Sequence, residues 1–292
     1  MVPSAAASTS LDLPVDLKAA PGVARSVPAA PLPLPSTLTP SKISAFTSCP
    51  LAFRFSVVER LPEPPSLAAT RGTLVHRALQ LLFTYVEPPH RDRARAEEVL
   101  EEAWRSYQDD PDVTGLELDL DGLASLRREA SVLVDRYFEL ENPNEVTPVG
   151  LELDLQLELD GLVLRGIIDR LDVRPDGSFA VVDYKTGRAP RAEQAKSKLS
   201  GVHLYALLCE QLLGKRPSAV RLLYLRDRVV VSSEPTDTSM RGVRQRAGAV
   251  WKAIERACDQ ADFRPSPSAL CNWCSFQQYC PAFGGDPDAP RS

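Results

Sequence analysis

The sequence predicts a mixed α/β fold in which helices come first and a sheet follows. Before residue 145, apolar residues recur at three- and four-residue intervals, which is typical of helices. From 151 to 159, leucines alternate with polar residues, which is typical of a strand with one buried face. Three strands in succession precede a helix, two more strands and a last helix. This order favours a mixed sheet with helical packing over an alternating doubly wound sheet.

Composition is that of an ordinary soluble globular protein. The 292 residues are 25% charged and 43% hydrophobic. The formal net charge of −5 gives no overall basic surface, so any nucleic-acid site must be a local patch. We find no apolar run of membrane-spanning length and no secretory signal pattern. We therefore expect a cytoplasmic protein, in a bacterial-type cytosol or nucleoid.

The first part of the chain is a tail followed by helices. Residues 1–37 are rich in Ala, Pro and Ser, which predicts a disordered tail. Thr39 or Ser41 caps a first helix, which Cys49-Pro50 interrupts. The apolar spacing then predicts a mainly helical part over 38–145, with helices at 67–86, 91–108 and 120–141.

The helix over 67–86 carries His76 one turn after Gly72, on a different face from its apolar stripe. A lone histidine on a helix is more often structural than a ligand. The glycine leaves room for something to approach the imidazole, so a ligand role for His76 stays open.

The strands follow within a predicted core over 146–262. Asp160-Gly161 turns the first strand into the second, and Pro175-Asp176-Gly177 has the residues of a three-residue hairpin loop. With Arg174 and Ser178 as the closing pair, Asp169 falls opposite Asp183. The rest of the core is predicted as a strand at 179–185, a helix at 191–213, strands at 219–225 and 228–233, and a helix at 237–261.

This register brings charged side chains together. Asp183 and Lys185 share one face of the third strand, while Tyr184 points the other way. Carboxylates facing each other across a ladder repel unless a cation lies between them, and a divalent metal would serve. Solvated charges at strand ends are the simpler alternative for an isolated Asp-x-Lys. Glu152 could add an acidic group, but the regular alternation of its strand favours a solvated face.

The cysteines indicate ligation rather than disulfides. Cys209 and Cys258 lie within predicted helices and are expected to be core thiols. Four thiolates suit zinc or a 4Fe–4S cluster. From the spacing alone zinc is the commoner answer, while the five-residue gap before Cys280 and the distant fourth cysteine leave iron–sulfur open. The candidate ligands are three cysteines of the tail and one far upstream: Cys271, Cys274, Cys280 and Cys49.

Together these residues resemble the RecB-type nucleases of the PD-(D/E)XK superfamily, and more narrowly the RecB-family exonuclease proteins with an iron–sulfur staple. The resemblance covers residues 38–284. The matching motifs occur in the family's order: Gly72-x-x-x-His76, Gly166-x-x-Asp169, Asp183-Tyr184-Lys185-Thr186-Gly187, and Cys49 with Cys271-x2-Cys274-x5-Cys280.

The resemblance implies a restriction-endonuclease-like core and a set of site residues. His76, Asp169, Asp183 and the Tyr184 backbone carbonyl would hold Mg²⁺ or Mn²⁺, and Lys185 would assist catalysis. The four cysteines would bind a 4Fe–4S cluster, with 263–284 as the cluster-binding tail and 285–292 as a disordered end.

The sequence departs from the family's pattern in the helix that follows the strand carrying Lys185. The family usually has a glutamine four residues before its tyrosine, and here Gly201 precedes Tyr205. His203 could compensate, although a structural role is the simpler interpretation. Tyr205 could contact DNA or belong to the core.

The expected function is metal-dependent hydrolysis of DNA, as an exonuclease acting on single strands or DNA ends in repair or recombination. No P-loop occurs, so any helicase would be a separate partner. A non-catalytic DNA-binding or assembly subunit and a zinc-stapled interaction protein are the alternatives. Four arginines are candidates for phosphate contacts or for ordinary surface charge: Arg54, Arg165, Arg170 and Arg188.

Overall fold

The computed structural model describes residues 30–289, and for residues 192–200 it describes the backbone course without the side chains. Residues 1–29 of the predicted tail and residues 290–292 lie outside this range. No helix between residues 30 and 289 is long and apolar enough to cross a membrane.

The helices begin at short polar residues, as their sequences predict. Thr39 accepts a hydrogen bond from the third backbone amide beyond it, and residues 66, 92, 119 and 236 do the same at later helices. The helices are α1 Pro40–Ser48, α2 Pro50–Phe53, α3 Leu67–Tyr85, α4 Arg93–Tyr107, α5 Pro111–Thr114, α6 Leu120–Tyr137, α7 Ala192–Leu213 and α8 Asp237–Gln260.

The sheet is mixed, as predicted. Its strands are β1 Pro148–Leu159, β2 Leu162–Val173, β3 Phe179–Lys185, β4 Ala219–Tyr224 and β5 Val229–Ser233. They are ordered β1-β2-β3-β4-β5. All neighbours are antiparallel except β3 and β4, which are parallel and joined through α7.

The hairpin between β2 and β3 has the predicted register. Arg174 N donates to Ser178 O at 2.8 Å, and Gly177 has a φ of 75° at the left-handed position of the loop. The last ladder pair joins Arg170 to Val182, so the next position in this register sets Asp169 against Asp183.

Helices cover both faces of the sheet. One buried core joins α1, α2, α7 and α8 to the first face, and the other joins α3, α4 and α6 to the second face. Because consecutive side chains of a strand face opposite sides, Val181 belongs to the first core and Val182 to the second. The ends of β2 and β3 are thus fixed between two helical layers.

The segments next to both ends of the described chain make contacts that the sequence did not predict. Leu32, within the expected tail, donates its amide hydrogen to Cys258 O of α8 at 2.9 Å. Near the other end, Asp288 pairs with Arg54 at 2.8 Å. Residues 30–37 and 285–289 therefore lie against the domain.

Candidate active site

Two acidic residues meet on neighbouring strands. The register of β1 and β2 places Glu152 opposite Asp169. Glu152 has a φ of 45°, in the left-handed region, so β1 is locally distorted there. The alternation of β1 favours a solvated Glu152, and this interpretation is wrong. The Glu152 carboxylate is half-buried, and its ligand atom lies within 4.8 Å of those of Asp169 and His76.

Helix α3 brings His76 to these carboxylates. One turn earlier, a β-carbon at Gly72 would stand 3.3 Å from the Thr186 hydroxyl oxygen, just beyond β3. The glycine therefore lets α3 lie against the end of β3. His76 Nε2 then lies 3.1 Å from the carbonyl oxygen of Tyr184.

The tautomer of His76 follows from this contact. A carbonyl oxygen only accepts hydrogen bonds, so Nε2 carries the proton. Burial lowers the pKa of His76, which favours the neutral ring. The lone pair of Nδ1 then faces Asp169 Oδ2 at 3.5 Å. That same oxygen accepts the Tyr184 amide hydrogen at 2.6 Å, which fixes the carboxylate in place.

Asp183 and Lys185 complete the site from β3. Lys185 Nζ lies 2.6 Å from Asp183 Oδ2 as an ion pair. Asp183 Oδ2 is buried, and the Lys185 ammonium is its one partner among the described side chains. Tyr184 points to the opposite face, as predicted, where its hydroxyl accepts a hydrogen bond from Arg170 at 2.7 Å.

The charges of the site are unbalanced. Burial and the Asp183 carboxylate raise the pKa of Asp169 well above its ordinary value, and the same two causes raise the pKa of Glu152. Burial lowers the pKa of Lys185, but Asp183 and Asp169 outweigh it and keep the ammonium charged. Three carboxylates thus face one ammonium, which favours a further cation.

The donor atoms fit a hard divalent cation. Carboxylate oxygens are the ligands that Mg²⁺ and Mn²⁺ prefer, and here they converge with one imidazole lone pair. Asp183 adds a buried oxygen that the Lys185 ammonium faces. Of the predicted ligands, the geometry therefore joins His76 and Asp169 directly, places Asp183 beside them and adds Glu152.

A groove opens beside Lys185. Hydroxyl-bearing residues of α1 line it, together with Gly201 and Tyr205 of α7 and Arg246 of α8. A β-carbon at Gly166 would lie 2.8 Å from two ring atoms of Tyr205, so the glycine on β2 makes room for that ring. Gly166 and Tyr205, both singled out from the sequence, thus form one packing contact at the groove.

The departure at Gly201 leaves open space. Apart from the chain neighbours and the backbone of α7 itself, no described atom lies within 4 Å of the position that a β-carbon of Gly201 would take. His203 is buried, and its Nε2 lies 3.0 Å from the Ser233 hydroxyl. His203 therefore does not replace the glutamine in the groove.

Two of the four arginines considered for phosphate contacts or surface charge are structural. Arg170 is fully buried, with two hydrogen bonds to Asp172 at 2.8 and 3.0 Å. Arg54 is also buried and pairs with two carboxylates. The surface role is wrong for both, because neither an arginine in a helical turn nor one inside a strand gives a sequence signal of its burial. Arg165 and Arg188 lie at the surface.

The predicted ligand cysteines line one cavity, between α2 and the 3₁₀ turns of the tail: Cys49, Cys271, Cys274 and Cys280. No three of these sulfurs lie within 4.8 Å of one another. The backbone amides of Ser266 and Ser268 point at two of them, at 3.4 and 3.3 Å. Cys209 and Cys258 are buried, as predicted.

Sequence relatives are phage proteins. The gene 69 protein of Mycobacterium phage D29 is 24% identical over 282 residues, which covers 86% of this chain and 98% of that protein. The gene 69 protein of Mycobacterium phage L5 is 26% identical over 136 residues, covering 46% and 44%.

A solved structure shares the fold. It is a crystal structure from Eubacterium rectale, described provisionally as an exonuclease, with a TM-score of 0.52 and 13% identity over 82% of this chain and 87% of that one. A profile of the PD-(D/E)XK nuclease superfamily matches residues 37–281, from the start of α1 to the tail. That span includes every residue of the site, and the chain therefore belongs to the PD-(D/E)XK nuclease superfamily.

Proposed function

We propose that the protein is a metal-dependent deoxyribonuclease of RecB type, an exonuclease that acts in DNA repair or recombination. The observation that carries the proposal is the convergence of His76, Glu152 and Asp169 beside the Asp183–Lys185 ion pair. Membership of a nuclease superfamily supports phosphodiester hydrolysis.

The ligands of the cation would be His76, Glu152 and Asp169. Asp183 Oδ2 and the second lone pair of the Tyr184 carbonyl are further donors. A divalent cation there supplies a Lewis acid that lowers the pKa of bound water and neutralises charge on the phosphate. The chain's own contribution is to hold these oxygens in place through the backbone of β3.

Lys185 would act on the phosphate or on the attacking water. Its side chain is 41% exposed and opens toward the groove, while Asp183 holds its ammonium at 2.6 Å. A positive charge fixed at this place stabilises negative charge that develops on the phosphate oxygens. The ammonium can equally orient a water molecule for in-line attack.

We further propose that the four cysteines bind a 4Fe–4S cluster that joins Cys49 to the tail. What supports the proposal is that all four cysteines line one cavity and that three of them lie within ten residues of the tail. The amide hydrogen bonds to two sulfurs also support thiolate ligands. Such ligation suits a reducing cytoplasm.

One observation favours a second candidate, a non-catalytic DNA-binding or assembly subunit of a helicase–nuclease complex. The open space at Gly201 removes a side chain that would line the groove. In that case the protein would keep the charged residues of the site but would not cleave DNA.

Digestion of end-labelled DNA tests the proposal. Anaerobically purified protein, Lys185→Ala and the control Lys252→Ala, which changes an exposed lysine of α8, are given single- and double-stranded DNA with Mg²⁺ or Mn²⁺. We expect cleavage that requires the metal, is lost in Lys185→Ala and persists in Lys252→Ala. Absence of cleavage by the cluster-loaded protein on any DNA would favour the binding subunit.

A further inference from the structure

A second groove lies on the other side of the end of β3, between α3, α6 and the turn that joins β4 to β5. Thr186 and Glu129 are among its lining residues. We call it the arginine groove, because four arginines line it: Arg71, Arg128, Arg136 and Arg226. In a chain of net charge −5, four arginines against one carboxylate make this groove a local exception.

The arginine groove adjoins the candidate active site on two elements. Thr186 directly follows Lys185 on β3. Arg71 directly precedes Gly72 on α3, and Gly72 packs against the Thr186 hydroxyl. The groove that contains Lys185 and Tyr205 lies at the same end of β3. The two grooves therefore flank the metal ligands.

Two of the four guanidinium groups are available to a ligand. Arg71 pairs with Glu129. Arg136 Nη1 donates to the backbone carbonyl of Arg226 at 2.8 Å, which fixes the turn. The exposed side chains of Arg128 and Arg226 have no carboxylate partner between residues 30 and 289. Unpaired guanidinium groups bind phosphate oxygens bidentately.

In the neighbouring cavity, which lies between α4 and α6, the arginines other than Arg136 already face carboxylates. It shares Arg136 with the arginine groove, but Arg93 there pairs with Asp135, and Arg228 pairs with Glu139 at 3.5 Å. An arginine that already faces a carboxylate gains less from a phosphate. The basic surface that starts at the active site therefore ends at Arg136.

We propose that the arginine groove binds the phosphate backbone of the DNA strand on one side of the scissile bond, while the groove beside Lys185 holds the strand on the other side. This rests on the proposed nuclease function and names the path of its substrate. Guanidinium contacts to phosphates position a strand without reading its sequence. The contacts therefore predict binding that is independent of sequence and sensitive to salt.

Binding measured without cleavage tests this path. Arg128→Glu/Arg226→Glu is compared with Lys252→Glu/Arg256→Glu, which makes the same charge change on exposed residues of α8. The turn at Arg226 should persist, because Arg136 contacts its backbone carbonyl. Fluorescence anisotropy of a labelled single-stranded oligonucleotide in EDTA gives the affinity, and thermal unfolding confirms that each variant is folded.

We expect the groove variant to bind at least about tenfold more weakly, with the control unchanged. The plot of log K against log salt concentration should become shallower by about 1.4. Each phosphate of a single strand that the protein neutralises contributes ~0.7 to the steepness, and the variant loses two such contacts. Equal affinities of the folded groove variant and wild type would overturn the path. So would an equal loss in the control, since it would reflect overall charge.

Cleavage separates this proposal from the nuclease itself. Wild-type protein that binds the strand through the arginine groove but cleaves no DNA with Mg²⁺ or Mn²⁺ would contradict the proposed nuclease and leave the path intact. If wild type cleaves, the groove variant should lose activity on long strands as affinity falls. Unchanged cleavage at substrate concentrations below Kd would contradict the path and leave the nuclease intact.

Discussion

At the residue scale, the backbone of Tyr184 holds the candidate metal ligands in place. Its amide donates to Asp169, and its carbonyl accepts from His76. Its phenol lies on the other face of the sheet and accepts from Arg170. Both contacts come from the backbone of Tyr184. Substitution of one ligand side chain, Asp169 or His76, therefore changes the charge of the site but leaves the hydrogen bond to the other ligand in place.

Glu152 provides the first prediction at this scale. We expect Glu152→Gln to raise the Mg²⁺ or Mn²⁺ concentration for half-maximal cleavage by at least about tenfold, because an amide carries no charge for the cation. The control is Glu158→Gln, an exposed residue of the same strand. Metal titrations of cleavage that coincide for Glu152→Gln, Glu158→Gln and wild type would show that Glu152 is no ligand.

The second prediction concerns two glycines, where the space available for a side chain decides the effect of a substitution on stability. Gly166→Ala would place a methyl group 2.8 Å from the Tyr205 ring and should lower the free energy of unfolding by about 1–3 kcal/mol. Gly201→Ala, in the open part of helix α7, should raise it by up to about 1 kcal/mol. Urea unfolding measures both, and equal effects of the two substitutions would contradict the packing of Tyr205.

At the element scale, β2 carries opposite roles on adjacent residues. Asp169 faces the candidate active site, and Arg170 faces the other core, where it pairs with Glu141 and Asp172. The hairpin that aligns β2 with β3 could be predicted, because its loop residues and strand periods are local signals. The approach of Glu152 could not, since it depends on a local distortion of β1. Nor could the burial of Arg170, which depends on helices distant in sequence.

The third prediction concerns this buried arginine. We expect Arg170→Met to lower the free energy of unfolding by about 3–5 kcal/mol, because it leaves Asp172 buried without its cation and Glu141 with Arg221 alone. Arg165→Met, which removes a surface pair with Asp154, should leave stability nearly unchanged. Chemical denaturation of both variants gives the comparison, and equal losses would show that Arg170 acts only as a surface charge.

The pH dependence of the Arg170→Met effect has a definite sign. Burial raises the pKa of Glu141, but Arg170 and Arg221 outweigh it and hold the pKa below the ordinary 4.5. A carboxyl whose pKa is lowered by folding stabilises the native state above that pH, and the stabilisation is lost as pH falls. The stabilities of wild type and Arg170→Met should therefore converge below pH 4.5.

At the scale of the whole molecule, distant parts of the chain meet at the cysteine cavity. Cys49 lies in the connection of α1 to α2, and Cys280 lies in the tail. The order of strands and helices was enough to predict the mixed sheet and its helical layers. The arginine groove was not predictable, because its residues come from α3, α6 and the β4–β5 turn, and only the packing of the layers brings them together.

The fourth prediction tests the cluster. Anaerobically purified protein should contain iron and acid-labile sulfide, and Cys49→Ala should lose both and unfold at a lower temperature. Cys258→Ala, which changes a buried thiol outside the cavity, should keep its iron. Zinc without sulfide in the wild-type protein would identify the staple as a zinc site instead.

The distortion at Glu152 has a further consequence, because β1 is an edge strand of the sheet. An exposed edge presents a row of backbone donors and acceptors that can pair with the edge of another copy. The left-handed residue interrupts that row in the middle of a 12-residue strand. The same backbone geometry that turns an acidic side chain toward the candidate metal site therefore also interrupts an edge that could pair with another copy.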